Sequence, residues 1–148
     1  MNNTPFGFDA PEESPGFLLW QVTMSWQRLI KKELELYGIS HSQFVIMAIL
    51  LWFSKKNVEL TQVDLIKMSN LDKMTISKSL KKLVSIGLVT RYENLEDTRA
   101  KNAKLTKKGE KLASILVPIV EGVDKKFFGK LTLPEQTILI AKMKGLSI

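Results

Sequence analysis

The sequence predicts a mostly α-helical protein with a minor β component. Apolar residues recur at helical spacing through most of the 148 residues. A Ser, Thr or Asp stands where an N-cap would precede five of these periodic segments. One stretch alternates instead, and a polar turn joins it to a second short alternating stretch, which is typical of a β-hairpin. The chain length favours one domain.

The positive charge is concentrated in the middle of the chain. The formal net charge is +7, divided as −2 over residues 1–54, +6 over residues 55–110 and +3 over residues 111–148. A local basic excess favours an anionic partner such as nucleic acid or an anionic membrane surface. The alternative is a lysine-rich face that only contacts solvent.

Several classes of function are excluded by composition. The chain has no cysteine and a single histidine, His41, which excludes disulfides, thiolate metal sites and multi-histidine metal sites. It lacks a Gly-rich phosphate loop and paired carboxylates near a base. The longest apolar run, residues 44–53, is too short to cross a bilayer, and no signal-peptide pattern opens the chain. We therefore expect a cytoplasmic protein that is not an enzyme, takes no cofactor or metal and enters no membrane.

The first third of the chain predicts an arm and two helices. Residues 1–16 are rich in Pro, Gly and acidic residues, and we expect a flexible arm or one pinned to a partner surface. Residues 17–37 are apolar over much of a helical circumference, so this helix should be buried on more than one side. The sequence Ser-His-Ser-Gln at residues 40–43 predicts a capping box that opens a second helix to about Phe53.

The middle third predicts a helix-turn-helix. Thr61 is placed to cap one short helix, and Asp72 is placed to cap a second helix that Gly87 ends. In the second helix, Ile76, Leu80 and Leu83 form the buried stripe and leave polar and basic residues on the other faces.

A hairpin and two more helices complete the chain. Residues 88–93 and 100–105 are the predicted strands, and the polar turn 94–99 joins them. Thr106 should cap a long helix that runs to about residue 128 and is kinked at Pro118. A capping box at Thr132 should open the last helix.

This order of elements resembles the multiple antibiotic resistance regulator (MarR) family. The wing signature of that family, Asp-x-Arg followed by Leu-Thr-x-x-Gly, is complete here as Asp97, Arg99, Leu105, Thr106 and Gly109. The resemblance implies a winged helix-turn-helix DNA-binding domain with N- and C-terminal dimerisation helices. Within one domain, 17–148, the dimerisation helices would be 17–38 and 107–148. The winged domain would be 40–106, with its wing at about 88–106.

The resemblance implies a homodimer that binds a pseudo-palindromic operator in double-stranded DNA, commonly as a repressor. In such folds the recognition helix enters the major groove and the wing reaches the minor groove. The predicted DNA contacts are Thr61, Gln62, Lys73, Thr75, Ser77, Lys78, Lys81, Lys82, Arg99, Lys101 and Lys104. Asp97 would pair with an arginine and shape the wing. The alternatives are a plain N-cap for Thr61 and Gln62, and an ordinary turn pair for Asp97 and Arg99.

Members of this family often bind a small aromatic acid or phenol between the dimerisation helices and the winged domain. The residues that could line such an effector site are Trp20, Met24, Trp26, Arg28, His41, Phe44 and Met47. The alternative is that these side chains form the core and the dimer interface. A further alternative for the whole chain is a winged-helix module that contacts only proteins, or an antagonist of another regulator that has no operator of its own.

Overall fold

The elements of the computed structural model, which describes residues 4–147, follow the predicted order. Three antiparallel strands lie among six α-helices in this part of the chain, so the mostly helical fold class is confirmed. The helices are α1 (Pro15–Glu35), α2 (His41–Ser54), α3 (Gln62–Ser69), α4 (Lys73–Ser85), α5 (Lys107–Phe128) and α6 (Leu133–Leu146). The strands are β1 (Leu60–Thr61), β2 (Val89–Glu93) and β3 (Lys101–Leu105). Within the described part of the chain, no helix has the length and hydropathy needed to span a membrane.

Local capping sets where most helices begin. Reciprocal capping boxes open α2, α3 and α6, in which each cap hydroxyl accepts from the N3 backbone N–H and the N3 side chain accepts from the cap N–H. The pairs are Ser40 with Gln43, Thr61 with Asp64, and Thr132 with Glu135. Asp72 and Thr106 cap α4 and α5. All five predicted caps are confirmed. They could be predicted because a cap depends on residues only three positions apart.

The first helix begins two residues earlier than predicted. Ser14 is its cap, and the Ser14 hydroxyl accepts from the backbone N–H of Phe17 at 3.3 Å. Pro15 occupies the first helical position, where a missing N–H leaves no hydrogen bond unmade. The predicted arm boundary at residue 16 is therefore wrong for the helix start, and a short 3-10 helix, Pro11–Glu13, precedes it. Residues 1–3 of the predicted arm, and residue 148, lie outside the described residues.

The three strands form the wing and tie it to the helix-turn-helix. Their order is β1-β3-β2, with Leu60 opposite Ala103 and Val89 opposite Leu105. Side chains alternate between the two faces of a strand, so Ala103 and Leu105 share one face, which is buried. This face closes the core of the winged domain, whose α4 side is the fully buried stripe Ile76, Leu80 and Leu83.

The start of α5 is fixed against the first residues of the hairpin. The Thr106 hydroxyl donates to the carbonyl oxygen of Gly87 at 2.7 Å, and its backbone N–H donates to that of Leu88 at 3.0 Å. A Cβ added at Gly109 would overlap the Leu88 carbonyl oxygen. Glycine is thus required here for close approach of a helix to a strand. Beyond this point α5 continues through Pro118 to Phe128 as one helix.

The N- and C-terminal helices expose many apolar side chains. In α1, Leu19 and Trp20 are 64% and 63% exposed. Over its described length α6 has no buried residue, and Leu133 and Ile138 are 77% and 59% exposed. This apolar surface is more extensive than the single, scattered apolar residues that a monomer usually exposes.

Candidate nucleic-acid interface

The outer face of α4 is basic. Positions 74, 78, 81 and 85 recur three or four residues apart and lie opposite the buried stripe at 76, 80 and 83. Lys78 and Lys81 belong to this outer face, Lys82 borders it, and Lys73 lies at the start of the helix; all four are exposed. The structure thus exposes every lysine that was predicted as a DNA contact on α4.

The hydroxyl groups of α4 are less available than the sequence suggested. Thr75 donates from its hydroxyl to Asp72 Oδ2 at 2.8 Å, and its backbone N–H donates to Asp72 Oδ1 at 2.8 Å. The two hydrogen bonds from Thr75, the backbone one first, lower the pKa of the Asp72 carboxyl group below its usual value. Thr75 therefore serves the cap of α4. Ser77 is also half-buried.

An arginine that the sequence analysis missed makes a hydrogen bond to the start of α3. Arg91, on β2, donates from Nη2 to Gln62 Oε1 at 2.7 Å. This hydrogen bond joins residues 29 positions apart, so no local pattern could have revealed it. Strand alternation sets Arg91 on the same face as the buried Val89, so it did not indicate an exposed contact either. Thr61, also predicted as a DNA contact, is held in the capping box of α3.

The tip of the wing is organised by side chains that accept from backbone N–H groups. Asn94 Oδ1 accepts from the N–H groups of Glu96 and Asp97 at 2.9 and 3.0 Å. Asp97 Oδ1 in turn accepts from the N–H of Arg99 at 3.1 Å and lies 3.4 Å from Arg99 Nε. The Arg99 side chain stays 93% exposed. An ion pair this exposed adds little stability, but the hydrogen bonds to the backbone order the turn that carries Arg99.

The two lysines predicted on the return strand lie on opposite faces of the sheet. Lys101 is opposite Glu93 in the ladder, and its Nζ lies 3.7 Å from Glu93 Oε1. Lys104 is three residues further along the strand, so it points to the other side. Its Nζ lies 5.1 Å from the centroid of the Tyr92 ring. The structure therefore places Lys101, but not Lys104, on the sheet face that carries Arg91.

The predicted effector residues are only partly brought together. Phe44 and Met47 are buried in the core, Met24 is half-buried, and Trp20 and Arg28 are exposed on α1. Trp26 and His41 do meet, with ring centroids 5.1 Å apart. Trp26 Nε1 also donates to Asp124 Oδ1 at 2.7 Å, so this cluster joins α1, α2 and α5. His41 lines a surface cleft of about 410 Å³ together with Gln27, Lys31, Glu35 and Ser40.

Burial at this junction lowers the pKa of His41 below its ordinary value of 6.5, and the nearby Asp124 carboxylate opposes that shift. The imidazole is therefore favoured in its neutral form.

Comparison with known proteins gives this arrangement a context. The family model for the ArnR1-like winged-helix domain matches residues 35–123. The chain is 36% identical over 121 residues to the HTH-type transcriptional regulator YdcH of Bacillus subtilis, a match that covers 82% of each protein. A mutant MarR from E. coli complexed with operator DNA superposes with a TM-score of 0.78 at 26% identity, covering 91% of this chain and 95% of that one. BpsR of Bordetella bronchiseptica superposes with a TM-score of 0.83 at 22% identity, covering 97% and 98%.

These relatives are transcriptional regulators and not enzymes, as the sequence analysis predicted. The chain belongs to the ArnR1-like winged-helix family, and it is a transcriptional regulator with the winged helix-turn-helix fold of MarR.

Proposed function

We propose that this regulator is a homodimer that binds a pseudo-palindromic operator and represses transcription until a small aromatic effector releases it. The observation that carries the proposal is the basic outer face of α4 beside a wing whose Arg99 side chain is 93% exposed. A basic helix followed by a basic hairpin suits the major groove and the adjacent minor groove, which a winged domain occupies together.

The DNA contacts would divide between the two grooves and the phosphates. Lys73 and Lys78, in the first turns of α4, would reach base edges in the major groove, where lysine donates to guanine. Lys81 and Lys82 would bind phosphates, as would Lys101 and the Arg91–Gln62 pair at the start of α3. Arg99 would enter the minor groove, whose negative potential attracts a guanidinium group. The operator complex of the E. coli MarR mutant supports this use of the fold.

Dimerisation would cover the apolar surface of the terminal helices. A second copy packed on α1 and α6 would bury Leu19, Trp20, Leu133 and Ile138, which the single chain leaves exposed. Two-fold symmetry then presents two α4 helices to successive major grooves, and the half-sites should lie about 10 bp apart. Such a regulator would act in the cytoplasm, where its DNA is.

Effector control is supported by the junction of Trp26 and His41. The BpsR structure concerns regulation of DNA binding by 6-hydroxynicotinic acid, a small aromatic acid. In the present chain Trp26 packs against His41, and His41 lines a surface cleft together with Lys31, which a second protomer could close. An aromatic acid bound there would contact the aromatic rings and pair with the ammonium group of Lys31.

The experiment that tests the DNA-binding proposal is genome-wide selection of binding sites with purified protein at fixed salt. We expect a two-fold symmetric site that Arg99→Ala weakens. Lys56→Ala removes one positive charge from an exposed position after α2, outside α3, α4, the wing and the terminal helices, and should leave binding unchanged. No enriched site, from a protein shown to be folded and dimeric, would contradict the proposal and would favour the alternative of a module that contacts only proteins.

A further inference from the structure

One apolar residue lies on the basic face of α4. Met74 is 71% exposed in the first turn of the helix. The stripe formed by Ile76, Leu80 and Leu83 on the other side is fully buried. Met74 shares the outer face with Lys78 and Lys81, four and seven residues on, so its thioether lies among ammonium groups that attract phosphates.

Apart from the lysines and Ser77, the side chains of α4 near Met74 offer no hydrogen bond that discriminates between bases. The Thr75 hydroxyl is held by Asp72 at 2.8 Å, and Ser79 is buried and 3.2 Å from Ser42 Oγ. Between Lys73 and Ser85 the helix has no Arg, Asn or Gln, which are the side chains that contact guanine or adenine with two hydrogen bonds. Lysine can select guanine, but it donates as a flexible point charge.

An apolar side chain can recognise one feature of the major groove, which is the C5 methyl group of thymine. Methionine suits this role because its unbranched, polarisable side chain adapts to an irregular apolar surface.

We propose that Met74 is a specificity-determining residue that contacts a thymine methyl group in each operator half-site. The proposal rests on the proposed function, since it requires α4 to enter the major groove. It adds that the operator carries a thymine at a fixed position, although α4 lacks the side chains that usually read an A·T pair.

The wing supplies a matched control. Leu95 is 99% exposed near the wing tip, so it is an exposed apolar residue that lies outside α4. The minor groove, which the wing would reach, presents no methyl group. Truncation of Leu95 should therefore not alter the response to thymine methylation.

The test replaces each thymine of the selected operator by deoxyuridine, in symmetric pairs, which removes only the methyl groups. Dissociation constants would be measured at fixed salt for the unmodified protein and for Met74→Ala, Met74→Leu and Leu95→Ala. At one position the unmodified protein should bind about fourfold more weakly for each methyl group removed, the change expected when one methyl group leaves an apolar environment. Met74→Ala should be insensitive at that position, whereas Met74→Leu and Leu95→Ala should keep the sensitivity.

Two results would overturn the inference while leaving the proposed function intact. One is strong binding that no deoxyuridine replacement weakens. The other is equal sensitivity in Met74→Ala, which would mean that another residue contacts the methyl group. Absence of duplex binding by the folded dimer would instead refute the proposed function, and the inference with it.

Discussion

Helices α4 and α6 are nearly equal in length, at 13 and 14 residues, and both begin at a side-chain cap. In α4 the large apolar residues Ile76, Leu80 and Leu83 are fully buried, and the outer face carries lysines. Over its described length α6 buries none of its residues and exposes Leu133 and Ile138. The outer face of α4 therefore suits an anionic partner, whereas α6 needs a second apolar surface to pack against.

The largest effect should come from Gly109, at the start of α5, the helix that leads from the hairpin towards α6. A methyl group there would overlap the Leu88 carbonyl oxygen, which is backbone and cannot rotate away. Gly109→Ala should lower the free energy of unfolding by about 3 kcal/mol, at the upper end of usual overpacking effects. Urea unfolding at a fixed protein concentration measures this.

Gly122→Ala is the control for Gly109→Ala, because a Cβ there meets no described atom within 4 Å. Gly122 lies within α5, so alanine should be neutral or stabilising by up to about 1 kcal/mol. Equal destabilisation by both substitutions would show that the close approach at Leu88 is not the cause.

The next effect concerns the exposed apolar surface of α6. Ile138→Glu puts a charge where we propose that a second copy packs, so the dimer should dissociate at concentrations where the unmodified protein stays dimeric. Analytical ultracentrifugation over a concentration series gives the dissociation constant. Lys56→Glu adds the same carboxylate at an exposed position outside α1 and α6 and should have a smaller effect. An unchanged dimer in Ile138→Glu would exclude this part of α6 from the interface.

The five helix caps and the fully buried stripe of α4 could be predicted because they depend on residues at most seven positions apart. The start of α1 also depends on neighbouring residues, since Ser14 and Pro15 are typical of a cap and a first helical position. It was missed because both residues lie in the segment that was interpreted as an arm. The Arg91–Gln62 hydrogen bond could not be predicted, because it depends on how the sheet packs beside α3. The use of Thr75 in the cap was missed because a hydroxyl beside a capping Asp can serve either the helix or a partner.

The two faces of the wing can be distinguished by the salt dependence of DNA binding. Lys101→Ala should make the plot of log affinity against log salt concentration less steep by about one unit for each phosphate that is no longer neutralised, hence about two for a dimer. Lys104→Ala should leave this slope unchanged, because Lys104 is on the opposite sheet face from Lys101. A reduced slope in Lys104→Ala would restore the DNA-binding role that the sequence analysis assigned to this residue.

The smallest effect should be a dependence of stability on pH through His41. Burial lowers its pKa in the folded state below the ordinary 6.5, so the folded protein binds this proton less readily than the unfolded chain does. The contribution to stability is then fully present above pH 6.5 and is lost as the pH falls below that value. Unfolding measured from about pH 7.5 to about pH 5.5, above the range of ordinary carboxylates, should show the decline in the unmodified protein. His41→Gln should reduce it, and an identical decline in both would assign it to other groups.

The hydrogen bond between Trp26 and Asp124 also makes the protein suited to optical study. Trp20 and Trp52 are 63% and 64% exposed, whereas Trp26 is half-buried and its indole N–H is hydrogen-bonded. Replacing the two exposed tryptophans by phenylalanine would leave Trp26, at the junction of α1, α2 and α5, as the single tryptophan of the chain. Its emission wavelength and quenching would then follow movement at that junction in solution, during DNA titration or effector addition, without an attached dye.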